Sequence, residues 1–342
     1  MIGPVGREIL TAAIIAAALG LSACGGGSVN PPAGEPASAL RSTVTPGAFP
    51  DLTKPSLYVA NFYGSTVTVY APTAKGNTKP LHTIAGSKTG LKGPYGVAVD
   101  AGYNVSVVNT NGGPSSTGSV TVYKSGAYGN VAPTRTIGGS NTGLFYPFGI
   151  ALDSSKNAYV ANYNGQSVTV YAASAKGNVA PIRTISGPNT GLFYPEGIVL
   201  SGTGKTYVAN SSGASVTVYP AGANGNVTPV QTISGSNTGL NQPQGIALGN
   251  SKIYVANFAG SVTVYRLGAN GNAAPVQTIS GSNTGLNEPF GVAVKGSVLY
   301  VANESNNTIT VYSATGSGNV APIRTISGSN TGLNGPAGIL LH

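Results

Sequence analysis

Residues 147–185 read PFGIALDSSKNAYVANYNGQSVTVYAASAKGNVAPIRTI, and this stretch decides the architecture. It holds four runs of about five residues, at 149–153, 158–162, 167–171 and 181–185, rich in Val, Ile, Tyr and Thr. Gly, Asn and Ser clusters separate them, which is the pattern of short antiparallel strands joined by tight turns.

The same text is written six times. Val-Thr-Val-Tyr ends at Tyr70, Tyr123, Tyr171, Tyr219 and Tyr265, and Ile-Thr-Val-Tyr ends at Tyr312. Tyr-Val-Ala-Asn ends at Asn61, Asn162, Asn210, Asn257 and Asn303, with a Val-Val-Asn variant at Asn109. Pro-x-Gly recurs at Pro94, Pro147, Pro195, Pro243, Pro289 and Pro336. Tyrosines and prolines keep the same spacings of 53, 48, 48, 46 and 47 residues, so two independent anchors share one period. Four strands in about 47 residues form a unit that cannot bury its faces alone, and stacking such units radially makes a β-propeller.

Lettering the strands a to d outward from the axis, Gly and Ala in strand a suit a crowded centre. The prolines opening strand d (Pro80, Pro133, Pro181, Pro229, Pro275 and Pro322) suit an outer edge, where a missing N–H breaks no ladder. The repeats begin with a strand b at 57–61 and end with an unpartnered strand a at 338–342. The expected fold is therefore all-β: a six-bladed propeller of four-stranded antiparallel blades, closed by the C-terminal strand completing the first blade.

Upstream of the repeats the text changes. An apolar run at 9–19 is too short to span a bilayer and matches the core of a secretory signal. It ends in Leu21-Ser22-Ala23-Cys24, which resembles the bacterial lipobox and holds the chain's one cysteine. The organisation expected is a lipoprotein signal peptide at 1–23, a Gly/Pro/Ser-rich tether at 24–54 that starts at lipidated Cys24, and the propeller at 55–342. As a loose coil the tether would reach on the order of 30 Å. Gly25 lacks the Asp that resembles an inner-membrane retention signal, so the expected address is the cell envelope, outside the cytoplasm, on the outer membrane where there is one.

Composition narrows the chemistry. Only 7% of the 342 residues are charged, with two His, three Asp and five Glu, against roughly a quarter in an average protein. One cysteine excludes an intrachain disulfide framework. No nucleophile elbow, phosphate loop, His-x-x-x-His or Cys-x-x-Cys occurs. The net charge of +9 is dispersed, and an exported chain is not expected to meet nucleic acid.

The repeat units resemble NHL-type repeats, and Tyr-Val-Ala-Asn is similar to the Tyr-Val-Thr-Asn repeat of surface propellers. The resemblance covers roughly residues 57–342. It implies a propeller fold, but such propellers include lactonases, lyases, ligand-binding domains and scaffolds. This chain carries Asn where NHL repeats usually carry Asp after the second strand.

Strand order puts the d–a and b–c loops on one face, where propellers of this resemblance generally bind ligands. There the x of Pro-x-Gly varies: Tyr95, Phe148, Glu196, Gln244, Phe290 and Ala337, at the mouth of the axial channel. Aromatic rings offer stacking area, and amides and carboxylates offer directional bonds. Glu288 and Glu304 belong to the same face, and a carboxylate pair there would serve acid–base work or a calcium ion. The six asparagines read as caps of the b–c hairpins, and Asn-Thr-Gly-Leu as a turn whose Leu fills the gap between blades. Asp100, Asp153 and His342 end strands on the opposite face as solvated groups, and His82 opens an outer strand, also solvated.

The expected function is a lipid-anchored binding or scaffold module for an envelope protein or polysaccharide, acting as a monomer without cofactor. Its contacts would be Tyr95, Phe148, Glu196, Gln244, Phe290, Glu288 and Glu304. The alternative is a lactonase- or lyase-like hydrolase using Ca2+ on the same face.

Overall fold

A computed structural model describes residues 55–111 and 117–342. The signal peptide, Cys24 and the whole of the tether lie outside the described residues. Those described form six four-stranded antiparallel sheets arranged in a ring, with no helix among them. The protein is a six-bladed β-propeller.

Blade 3 shows the local logic. Strand a (Pro147–Leu152) pairs with b (Ala158–Asn162), b with c (Ser167–Tyr171), and c with d (Arg183–Ile185). Strands b and c are buried along their whole length because a neighbouring blade covers each face. Leu57 and Val59 pack against blade 6, while Tyr58 and Ala60 pack against blade 2. The core is thus six apolar layers between blades, each fed by the period-two alternation of strands b and c. The leucine of each Asn-Thr-Gly-Leu segment enters the layer ahead of its own blade, as Leu144 does between blades 2 and 3.

Strand d is shorter than the sequence suggests. It begins at Arg183 instead of Pro181, since proline has no N–H to donate to strand c. Its outer edge is not bare either. Ile84, Ile137, Ile185, Ile233, Ile279 and Ile326 each form a parallel bridge with a glycine in the c–d loop of the next blade. An exposed strand edge invites pairing with other chains, and this loop covers it.

Closure uses every kind of contact the blades use elsewhere. The C-terminal strand (Pro336–Leu341) pairs with Leu57–Asn61 and completes blade 1. Gly76 of blade 1 bonds Thr325 and Ser327 of blade 6 through the backbone. At the axis, a Cβ on Gly338 would stand 2.2 Å from the Tyr95 carbonyl oxygen, so strand a tolerates only glycine there.

Candidate ligand-binding face

Two sets of repeated polar residues hold the blades together. The Asn61 side-chain amide donates to Thr66 and Thr68 across its hairpin, at 3.2 and 3.0 Å, and its oxygen accepts from the Asn334 N–H in the d–a loop. Asn109, Asn210, Asn257 and Asn303 repeat the loop contact, and all of these amides are fully buried. They form a scaffold rather than a ligand ring.

The tyrosine that ends each strand c does a second job. Tyr171 donates to the Thr142 carbonyl at 2.5 Å, in the d–a loop ahead of its blade. Tyr70, Tyr123, Tyr219, Tyr265 and Tyr312 bond Thr331, Thr89, Thr190, Thr238 and Thr284 in the same way. Burial pushes the phenols up, to about 12 for Tyr70, Tyr123, Tyr265 and Tyr312.

Non-repeated residues then occupy the face that this scaffold presents. The residue ahead of each Pro-x-Gly takes a left-handed backbone, with φ of 58° at Gly93, 50° at Tyr146, 52° at Tyr194, 49° at Gln242, 48° at Glu288 and 63° at Gly335. Blades 1 and 2 use glycine there, as sterics favour. Blades 3 to 6 keep a large side chain at a cost of about 1 kcal/mol or more each, a pattern typical of functional positions.

The x residues converge on the axis but do not form an open mouth. Tyr95, Phe148 and Phe290 are 2, 3 and 6% exposed and pack on one another. Ring centroids lie 4.2 Å apart for Tyr95–Phe148, 5.0 Å for Tyr95–Phe290 and 6.2 Å for Phe148–Phe290. Ala337 is small enough to let Phe290 reach across. Tyr95, Phe148 and Phe290 line a narrow axial cavity of about 80 Å³ together with Glu196 and the Gly and Ile/Val residues of the six inner strands.

The cap extends sideways into a belt absent from the sequence reading. Phe62 contacts Tyr95 at 4.5 Å and Tyr63 at 4.9 Å. In the other direction Phe148 meets Tyr163 at 5.0 Å, Tyr163 meets Tyr194 at 4.7 Å, and Tyr194 meets Phe193 at 5.0 Å. An unbroken chain of aromatic rings therefore crosses blades 1 to 4, with exposed ends at Tyr63 (64%) and Phe193 (47%). The signal was readable in two further variable positions. The residue after the repeated Asn is Phe62, Thr110, Tyr163, Ser211, Phe258 or Glu304. The residue after the repeated Leu is Lys92, Phe145, Phe193, Asn241, Asn287 or Asn334.

Blades 4 to 6 supply the polar half. Glu196 is buried in the axial ring and is the one charged side chain lining the axial cavity. Gln244 beside it donates to Ser211 Oγ at 3.2 Å and to the Gln242 carbonyl at 3.3 Å. Glu304 is buried, and its N–H donates to the Glu288 carbonyl at 3.2 Å, which joins the two acidic positions of blade 6. Among the described residues no group of three or more His, Cys, Asp or Glu could hold a metal ion.

On the opposite face, Asp100 and Asp153 close their own a–b turns instead of projecting into solvent. Asp100 accepts from the Gly102 and Asn104 N–H groups at 2.8 and 3.0 Å and from Lys156 at 3.2 Å. Burial alone would raise its pKa, but the bonds from Asn104, Lys156 and Gly102 outweigh it and hold the carboxyl below its ordinary value. Asp153 accepts from Asn157 at 2.9 and 2.8 Å. His342 packs edge-on against Tyr103 at 4.8 Å. His82 is half-buried, 5.9 Å from Tyr128 of blade 2, and burial lowers its pKa.

No protein-family model and no curated protein sequence matches the chain. Solved structures do share its form. A functionally unknown protein from Desulfotomaculum acetoxidans superposes with a TM-score of 0.57 at 13% identity, covering 84% of this chain and 98% of that one. A chain of a nidogen/laminin complex gives a TM-score of 0.56 at 15% identity, with the same coverages. A streptogramin B lyase gives 0.47 at 12% identity, covering 76% and 71%. At these identities the likeness is one of fold.

Proposed function

We propose that this NHL/YVTN-type propeller is a binding module of the cell envelope that holds a polysaccharide on its d–a/b–c face. The observation that carries the reading is the aromatic chain from Tyr63 to Phe193, laid across four blades of a scaffold that is otherwise repeated almost verbatim. Flat rings in series suit the apolar faces of successive sugar rings. Gln242, Glu288 and the Asn residues beside them supply bonds to hydroxyls. Tyr95, Phe148 and Phe290 act as the floor of this platform, with Glu196, Gln244 and Glu304 at its polar end. One protein of similar fold is named for a protein complex, which keeps an envelope protein as the second candidate partner.

Replacing Tyr63 and Phe193 together with Ala is expected to weaken retention in polysaccharide affinity gels by about tenfold, at the roughly 0.5–1.5 kcal/mol usual for an aromatic contact. Circular dichroism should be unchanged, since both side chains are largely exposed. Equal retention of the variant, or no retention of the unaltered protein by any envelope glycan, refutes the assignment. A hydrolase using Ca2+ is the rival, and it predicts stoichiometric calcium in dialysed protein.

The anchor belongs to the same proposal. Ser56, where the described chain enters, pairs with His342 on the a–b/c–d face, opposite the aromatic belt. A lipid on Cys24 would hold the propeller to the membrane through a loose coil reaching about 30 Å. Cells fed labelled palmitate should label the protein and not its Cys24→Ser variant. Equal labelling of both, or of neither, removes the anchor.

A further inference from the structure

A second departure from the repeat lies away from this face. The strand-b residue three places before the repeated Asn is tyrosine in five blades, Tyr58, Tyr159, Tyr207, Tyr254 and Tyr300, but Ser106 in blade 2. It lies across strand c from the first residue of strand d, which is arginine in blades 2, 3 and 6. Where both residues of the motif are present they form a unit. Arg183 lies over the Tyr159 ring at 5.6 Å and donates to its hydroxyl at 2.6 Å. Arg324 lies over Tyr300 at 5.6 Å and donates to its hydroxyl at 3.0 Å.

Blade 2 keeps the arginine and loses the ring. In the vacated layer between blades 2 and 3 is a cavity of about 310 Å³. Ser106 and Arg135 line it, Val122, Leu152 and Ala173 give it apolar walls, and Lys156 stands at its rim. The Nε of Arg135, like those of Arg183 and Arg324, is buried with no partner among the described residues, but Arg135 alone has no phenol to receive the bond that the other two donate through their terminal nitrogens. The Lys156 charge is matched by Asp100 at 3.2 Å, which leaves the guanidinium as the unbalanced charge of the cavity.

We propose that this cavity is a binding site for a one-ring aromatic carboxylate, whose ring takes the place of the missing tyrosine and whose carboxylate accepts from Arg135. Apolar walls on both sides select a flat ring. A charged donor fork set in a partly desolvated layer selects a planar anion over a neutral molecule. The site is independent of the aromatic belt and of its ligand.

The experiment is isothermal titration of the full propeller with 4-hydroxybenzoate, with acetate and cyclohexanecarboxylate as controls. Saturable binding of 4-hydroxybenzoate is expected, with the controls at least about tenfold weaker. Arg135→Gln should weaken it by about tenfold or more, the factor that a charge-assisted bond carries. Blades 4 and 5 carry Gln231 and Gln277 at this place, so the fold accepts that residue. Ser106→Tyr restores the residue of the other blades, and should abolish binding while raising Tm by about 2–4 °C. Absence of saturable binding, equal affinity for acetate, or binding indifferent to Arg135→Gln overturns the proposal. If Ser106→Tyr fails to fold, the Arg135→Gln and control-ligand results decide alone.

Discussion

Tyr171 shows how one side chain in this protein carries two loads. Its ring fills an interblade layer, and its hydroxyl reaches Thr142 in the preceding d–a loop. Removing the hydroxyl in Tyr171→Phe strands a buried carbonyl and is expected to cost about 1–3 kcal/mol in thermal or urea unfolding. The same bond sets a pH limit. The four phenols at about 12 lie above their ordinary value of 10.0, so the neutral form is the one that folding favours. Their contribution is complete below pH 10 and is lost between pH 10 and about 12. Melting temperature should fall steeply over that window as phenolate absorbance rises. Ionisation of all the tyrosines near pH 10, the buried strand-c phenols included, with no loss of structure contradicts the interblade bond. The Val-Thr-Val-Tyr motif was legible as packing. Its bonding partner was not, because the threonine belongs to a loop 29 residues earlier in the chain.

At the scale of the strand, the innermost element is the most demanding. The strand at Pro336–Leu341 pairs with Leu57–Asn61 along a ladder whose register shifts once, between Val59 and Asn61, and its Ile339 side chain sits in the layer between blades 6 and 1. Deleting residues 338–342 removes several bonds at about 1 kcal/mol each and a buried aliphatic side chain at about 2 kcal/mol. Tm is expected to drop by roughly 15 °C, with a rise in aggregation from the bared edge. Melting that is unaltered by the truncation counts against a closed ring. The pairing of this strand was legible from the missing first strand and the spare last one. The cover over strand d was not. A Gly-Asn pair in a loop carries no strand signature, and its bridge to Ile84 or Ile326 exists only once two blades stand side by side.

Over the whole molecule, repetition and deviation divide the labour. Residues that recur in every blade make the ring: the Asn caps, the tyrosine bonds, the leucine plugs and the axial glycines. Residues that break the repeat gather in two places, the belt on the d–a/b–c face and the cavity beside Ser106. The repeat by itself determined fold class, blade number, closure and the sorting of loops to faces, because each depends on periodicity and strand order along the chain. Only the tertiary structure decided that Tyr95, Phe148 and Phe290 form a closed cap with a lateral belt, and that a serine in blade 2 opens a space beneath Arg135. Those outcomes depend on how side chains from different blades meet across the axis and between layers, distances that no spacing along a single chain encodes.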